Sequence, residues 1–383
     1  MSDRVYFDHA ATTPVRPEAV AAMEPYHTSV GYNPSSLHAE GRRARAAVDR
    51  ARETVAQALG ARPGEIVFTG SGTEADNIAI FGVARARRER GKHIVSTTIE
   101  HHAVLHALDV LREDGWDVTL IDVDERGLVA PGRFRSALRP DTVLATVMLA
   151  NNEIGTIEPI AELAAIARDR SVVLHTDAVQ APGKLSIATG DLGVDLLSIA
   201  AHKFYGPKGV GVLYVRDGTP LAPFVVGGGQ ERGRRSGTEN VAGIVGLAEA
   251  LRLAVAERER YAAEIGSLRD RLEALLEAVP DSRVNGAGAA RLPNNLSVSF
   301  AGVEADALLI RLDLEGVAAS AGSACASGSI QVSHVLEAIG LERRFARGTI
   351  RLSLGKGLGV SAVARVGELI PRLVEELRAA ATV

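Results

Sequence analysis

Residues 196–211 read LLSIAAHKFYGPKGVG. An apolar run of strand length ends at His202 and Lys203, the chain turns through Gly206 and Pro207, and a second β-branched run, GVGVLYV, follows. A lysine thus stands where a buried strand opens into a turn. The chain holds five lysines, Lys92, Lys184, Lys203, Lys208 and Lys356, and its many other cations are arginine. An amine used for covalent chemistry has to be lysine, because a neighbouring cation or an apolar wall depresses its pKa whereas arginine stays protonated. Lys203 is therefore the candidate for a Schiff base, set against the plainer alternative of a solvated loop lysine.

Working outward, a strand-then-helix pattern repeats from Glu65 to this stretch. IVFTG leads into GSGTEADN (70–77), a small-residue turn that opens a helix. Backbone N–H groups around Gly72 and Thr73, with the positive end of the helix dipole, suit an anion such as a phosphate, although Thr73 would serve equally as an ordinary N-cap. HIVSTT delivers His101 to a strand end, as a ring stacker or proton carrier over a flat ligand, or as a helix cap. The neighbouring His102 and His106 lack the glutamate of a zinc helix, so no metal site is expected. TVLATVMLA ends near Asn152, and VVLHTDAVQ brings Asp177 and Gln180 to a further strand end. Intervening helices return the chain to its start each time, so these groups converge at one edge of a mostly parallel sheet, where α/β folds bind ligands. Thr73, His101, Asn152, Asp177, Gln180, His202 and Lys203 together fit pyridoxal phosphate: an anion cradle, a ring stacker, an amide for the ring oxygen, a carboxylate for the ring nitrogen, and an amine for the aldehyde.

The rest of the chain sets bounds. With 383 residues, 46% of them hydrophobic, it can bury a large core and divide into a large and a smaller domain. A formal charge of −4 argues against nucleic acid and anionic membranes as partners. No apolar run is long enough to cross a bilayer and MSDRVYFDH lacks secretory character, so a cytoplasmic address is expected. Near the N-terminus, Pro17 and Glu18 start a helix, and the Asn33–Ser36 turn caps a second, long one ending near Gly60. VVGGGQERGRRSGTEN, ending in Ser236, Gly237 and Thr238, is either a basic surface loop or a set of anion donors. A helical stretch from Val241 to about Val279, predicted to break near Gly266, connects to a smaller α/β segment with which the first dozen residues are expected to pack.

In that segment the single cysteine, Cys325, sits in SAGSACASGS, a loop without side chains to bury it, so a structural thiol is a poor explanation and a thiolate carried into a site a better one. Arg351 stands inside the strand pattern TIRLSLG, where a charge is disfavoured unless paired, and suits bidentate capture of a substrate carboxylate.

DHAATTP, NPSSLH, FTGSGTEADN, EHHAVL, NNEIGT, HTDAVQ, AAHKFYGPKGVG, GGGQERGRRSGTEN and GSACASGS occur in order to about Gly355, and together the chain resembles the cysteine desulfurases related to the nitrogen-fixation and iron–sulfur-cluster enzymes, in the class V aminotransferase family. The resemblance implies an α/β, fold type I pyridoxal phosphate enzyme with a mostly parallel seven-stranded sheet, residues 14–255 forming the large domain, and 1–13 with 256–383 forming the small domain that carries the cysteine loop. It implies a homodimer in which Lys203 holds the cofactor, His101 stacks on it, Asp177 and Gln180 bind its ring, and Gly72, Thr73, His202 and the partner subunit's Thr238 hold its phosphate. Arg351 and Asn33 would bind the carboxylate of L-cysteine, and Cys325 would take its sulfur as a persulfide, leaving alanine. A protein acceptor, such as an iron–sulfur scaffold or another sulfur carrier, would receive that sulfur. One position departs from the pattern: Ala200 stands where such enzymes commonly have a serine. A neutral hydrogen bond is worth about 1 kcal/mol, so a weaker hold on the cofactor, or a water in place of the hydroxyl, is expected. The competing readings are a selenocysteine lyase or an aminotransferase, neither of which needs Cys325, and a non-catalytic sulfur-pathway partner.

Overall fold

The structure, a computed structural model, describes residues 4–322 and 332–381. The chain opens with a short strand, β1 (Val5–Tyr6), and two helices, α1 (Pro17–His27) and α2 (Ala39–Leu59). Pro17 occupies the first turn of α1, where no intrahelical N–H bond is lost, and Gly60 ends α2 in the left-handed region at φ 63°. The cap of α2 is His38, whose Nδ1 accepts the Gly41 N–H at 3.2 Å, and not the Asn33–Ser36 turn.

Strand and helix then alternate: β2 (Ile66–Thr69), α3 (Gly72–Arg87), β3 (His93–Thr97), α4 (His102–Glu113), β4 (Asp117–Ile121), α5 (Pro131–Ala137), β5 (Thr142–Thr146), α6 (Ile160–Asp169), β6 (Val173–Asp177), the short α7 (Thr189–Leu192), β7 (Leu196–Ala200) and β8 (Gly211–Val215). The strands form one seven-stranded sheet in the order β2-β8-β7-β6-β5-β3-β4. Strands β3 to β7 pair in parallel, and β8 runs antiparallel to both β7 and β2. Two reversals restore direction, so β2 points the same way as β7. Hence the segments that follow β2, β3, β5, β6 and β7 all emerge at one edge. Strands β3, β5, β6 and β7 are buried along their whole length, as a sheet covered on both faces requires.

The helix that follows, α8 (Val241–Glu277), runs unbroken for 37 residues through Gly266, where the sequence predicts an interruption. A glycine inside a helix costs only about 1 kcal/mol relative to alanine, and both halves of α8 are anchored: Ile244, Leu247 and Leu251 in the core around the large sheet, Ile265, Leu272 and Leu276 in a second core. That second core is built on β9 (Ser282–Val284), β10 (Asn295–Phe300), α9 (Ala305–Leu314), β11 (Val317–Ala318), β12 (Thr349–Ser353) and α12 (Val360–Ala381). Its antiparallel sheet has the order β12-β10-β9. The short helices α10 (His334–Ala338) and α11 (Arg343–Ala346) instead send Val335, Leu336 and Phe345 into the first core. The first dozen residues touch both cores: β1 pairs with β11 and Phe7 is buried in the second, while Thr13 reaches the main chain of His202.

One buried ion pair fastens the Gly/Arg-rich segment to the large sheet. Arg52 of α2 donates to both carboxylate oxygens of Glu231 (2.7 and 2.8 Å) and to the Ile66 carbonyl (2.7 Å), and Glu231 also accepts the Phe68 N–H (3.0 Å). Removing the arginine leaves a buried, uncompensated carboxylate. Arg52→Met is therefore expected to cost about 3–5 kcal/mol, read as a lower urea midpoint at unchanged slope; a loss within about 1 kcal/mol would show that the pair does not hold this segment.

Candidate active site

At the shared strand edge lies a cavity of about 300 Å³. Gly72, Thr73, His101, Asn152, Asp177, Gln180, His202, Lys203 and Arg351 all line it, joined by Ala200 and by Gly322 and His334. Residues from Ala10 to Arg351 are thus brought to one space.

Lys203 closes a short turn after β7, and its Nζ donates to the carbonyls of Ala10 and Ala11 at 2.7 and 2.8 Å. Two residues on, Tyr205 takes the left-handed conformation at φ 66°, a strained choice for a bulky residue. It is held there because its N–H donates to Thr13 Oγ1 (2.8 Å) and its hydroxyl accepts the Lys356 N–H (2.7 Å). His202, beside Lys203, has Nδ1 within 3.1 Å of Thr12 Oγ1, and burial with the Lys203 charge lowers its pKa to about 4. Its ring is neutral in the working range of pH.

Asp177 ends β6 and its Oδ1 accepts the Val179 N–H at 2.9 Å. Burial raises its pKa, while His101, this N–H and Lys203 pull it down. Gln180 is tied by Nε2 to the Ala10 carbonyl (3.0 Å). His101 satisfies both sequence readings at once: it caps α4, accepting the Ala103 N–H on Nδ1 at 3.1 Å, and it forms part of the cavity wall. The cap leaves the proton of the neutral ring on Nε2. Burial holds its pKa below the usual histidine value, and the Lys203, His334 and His106 charges add to that against Asp177.

Ser71, not Thr73, caps α3, its Oγ accepting the Glu74 N–H at 3.0 Å. The N–H groups of Gly72 and Thr73 then lie in the first turn of a 16-residue helix, where no intrahelical acceptor exists. A Cβ on Gly72 would stand 2.8 Å from Val179 Cγ2 and 3.3 Å from Ala200 Cβ, so this floor is open only because residue 72 has no side chain.

Arg351, 2% exposed, comes from β12 and donates to Asp8 Oδ1 (2.9 Å), the Asn152 carbonyl (2.9 Å) and the Gly322 carbonyl (3.3 Å). Its buried Nε has no hydrogen-bond partner. Asn33 and Thr238 are not part of the cavity. Asn33 is exposed and spends its Oδ1 on the Ser35 N–H (2.8 Å), while Thr238 is exposed and lines a separate cleft of about 80 Å³ with Gly70 and Arg235. Cys325 lies outside the described residues.

The Aminotransferase class-V family model matches residues 5–363. A cysteine desulfurase IscS of Dictyoglomus turgidum is 48% identical over 99% of this chain and 96% of that protein, and one of Methanosarcina thermophila is 49% identical over 98% and 93%. The chain belongs to the cysteine desulfurases of the class-V aminotransferase family. A solved NifS-like protein superimposes with a TM-score of 0.92 at 38% identity, covering 97% of this chain and all of that one. The desulfurase is accordingly a fold type I, pyridoxal phosphate-dependent enzyme with the seven-stranded sheet expected from sequence. Its cavity fits that cofactor: an open helix N-terminus for the phosphate, a buried carboxylate for the ring nitrogen, an imidazole wall, and an amine at a strand end. No helix among the described residues is long and apolar enough to cross a membrane.

No local sequence pattern marks the buried acids beside Asp177: Glu153, which lines the cavity and accepts from Ser333 Oγ at 2.6 Å, Asp76, and Glu100 just behind the wall. Asp76, 1% exposed, lines the cavity from α3 with Oδ1 unpartnered, its pKa pushed well up by burial and then by Asp177 and Glu100. Glu100 precedes His101, and its Oε1 accepts from Thr97 Oγ1 (2.7 Å) and the Met148 N–H (3.0 Å). Burial raises the Glu100 carboxyl from 4.5 to about 8. Between those values the folded chain keeps a proton that the unfolded chain has released, so this group's contribution to stability falls as pH rises through that window. Glu100→Gln, neutral throughout, is expected to gain on the wild type by on the order of 2–4 kcal/mol between about pH 5 and pH 8. Urea unfolding at both values measures it, and a difference independent of pH would mean that Glu100 is ionised in the fold.

Proposed function

We propose that this desulfurase converts L-cysteine to L-alanine and leaves the sulfur on Cys325 as a persulfide. The observation that carries the proposal is the single cavity where an amine (Lys203), a carboxylate (Asp177), a neutral imidazole (His101) and a buried guanidinium (Arg351) meet. Gly322 and His334, which flank the segment holding Cys325, line the same cavity and support a thiol acting there. Bound at Lys203, pyridoxal phosphate supplies an electron sink for the pair released at the substrate Cα.

Gly72, Thr73 and His202 hold the phosphate, with Ala200 contributing only a methyl group where a serine hydroxyl would add a bond. Asp177 keeps the ring nitrogen protonated, Gln180 and Asn152 offer amides to the ring oxygen, and His101 covers the ring face. Arg351 takes the substrate carboxylate on its Nε side; Asn33, outside the cavity, would join it only if the turn that precedes α2 moved or a second copy of the chain presented it. Lys203 Nζ, once free, removes the Cα proton. Cys325 Sγ, as thiolate, attacks the substrate sulfur: an S–S bond forms, the Cβ–S bond breaks with its electron pair staying on carbon, and protonation there, with His101 Nε2–H as donor, yields alanine. The thiol of Cys325 and cysteine become persulfide and alanine without an external oxidant.

The outer sulfur then passes to a protein acceptor, such as an iron–sulfur scaffold or a sulfur carrier, in a cytoplasmic setting. Exposure of Thr238, outside its own cavity, supports a homodimer in which each copy completes its neighbour's phosphate site. Two separate hydrophobic cores support a division into residues 14–255 and residues 1–13 with 256–383, although α10 and α11 of the second part pack into the first core.

Alanine and sulfide release from L-cysteine with a dithiol present tests the reading. Cys325→Ala is expected to keep the visible cofactor band and lose at least 100-fold in turnover, while Lys203→Ala loses that band. A fully active Cys325→Ala enzyme would overturn the persulfide step in favour of a lyase or transaminase. Arg351→Lys, which cannot reproduce a bidentate fork, is expected to raise KM for cysteine about tenfold or more with the resting spectrum unchanged. Unchanged KM would remove Arg351 from the carboxylate site.

A further inference from the structure

Lys184 is a buried lysine that the mechanism above does not use. It follows β6 in the sequence QAPGK, is 6% exposed, and its Nζ donates to the carbonyl of Gln180 at 2.9 Å and to that of Lys203 at 3.4 Å. We propose that Lys184 is a positioning residue for Lys203, a buried ammonium that ties down the main chain of Gln180 and Lys203 and, through its charge, lowers the basicity of the Lys203 amine. The proposal rests on the reading of Lys203 as the cofactor-binding lysine.

An ammonium taken out of water is ordinarily matched by a carboxylate. Lys184 has two carbonyls instead, and no carboxylate of the described residues forms an ion pair with it. The groups facing it from every packed element bear this out. Lys203 and His202 come from the turn after β7, His9 from the N-terminal segment, Tyr205 from the strained turn, and Tyr261 and Glu257 from α8. Glu257, the one acid among them, is engaged by Arg16 (3.1 Å) and by Lys356. His9 and His202 are both held neutral, near 4, by burial with these lysine charges adding to it. Burial, with the Lys203 charge adding to it, pushes Lys184 itself down to about 7. A second basic group is thus bonded to the main chain of the residue that bears the reacting amine, and whenever it carries its proton it works against a second charge on that amine, an established way of making a lysine release its proton near neutrality. Its two hydrogen bonds also bind the loop bearing the ring-oxygen amide to the turn bearing the amine.

The test is a pH titration of the visible absorbance of the Lys203-bound cofactor in the holoenzyme. In Lys184→Met the protonated form loses its repulsive neighbour, so the midpoint is expected to rise by about one pH unit, a tenfold gain in proton affinity. Cofactor affinity, measured by adding pyridoxal phosphate back to stripped enzyme, should fall severalfold as the two loops loosen. Lys184→Arg keeps the charge, has about 20 Å³ of open space beside it, and should hold the wild-type midpoint. If Lys184→Met does not fold, Lys184→Gln carries the same expectation. An unchanged or lowered midpoint in the neutral variant, or an equal rise in Lys184→Arg, overturns the proposal. A visible band that survives Lys203→Ala would overturn the underlying reading of Lys203 instead.

Discussion

Three carboxyl groups, Asp76, Glu100 and Asp177, are buried at the same end of one sheet, and they cannot all be charged. Repulsion between like charges grows as water is excluded, and burial has already raised all three. Only Asp177 is faced by basic groups, the His101 imidazole and the Lys203 amine. Asp76 and Glu100 therefore keep their protons, and the negative charge settles on the one acid whose partner would be a ring nitrogen. His175 fits the same logic: enclosed between Thr146 Oγ1 (2.8 Å) and Ser198 Oγ (3.0 Å), it is driven to about 3 by burial and adds no charge behind the site. The sheet end thus selects where its charge resides before any ligand arrives.

The cationic side of the site depends on a few residues at the start of the chain. Ala10 and Ala11 hold the Lys203 ammonium by their carbonyls, Thr12 meets His202, Thr13 pins the Tyr205 turn, and Asp8 engages Arg351. One segment therefore fastens both the amine and the guanidinium. Because that segment also pairs with β11 and bridges to Ser353, the second core is tied to the chemistry of the first. Such a link explains why a two-residue strand as short as β1 is worth keeping.

Much of this was readable beforehand because the site is built on strand ends. Period and apolar content place β6 and β7, and the first polar residues beyond them, Asp177 and Lys203, have nowhere to point but the shared edge. Chemistry carried by sequence-distant pairs was not readable: Asp8 and Arg351 are 343 positions apart, and no local pattern announces their contact. Asp76 stands near the start of α3, where an acid is common, and only the packing of α3 against the sheet shows it buried. Of the two readings open at Thr73 the N-cap one falls to Ser71, and the cap expected from the Asn33–Ser36 turn falls to His38, because each offers an acceptor two positions from where composition points. The break expected at Gly266 did not occur since packing at both ends outweighs one residue's helix propensity.

Arg351 shows how binding and restraint are combined. A bidentate grip on a carboxylate needs two parallel N–H donors, and Nη1 is already spent on the Asn152 and Gly322 carbonyls. Nη2 is shared with Asp8, so the unpartnered Nε and the remaining hydrogen of Nη2 form the one face on which the proposed carboxylate could be gripped. A carboxylate arriving there meets a guanidinium whose charge is partly offset by Asp8, and it binds more weakly than it would to an isolated arginine. Weak ground-state binding is not a defect in an enzyme, because affinity spent equally on substrate and transition state does nothing for turnover. Fixed by three protein acceptors, the guanidinium would orient a carboxylate without holding it too tightly, from a group that does not need to move.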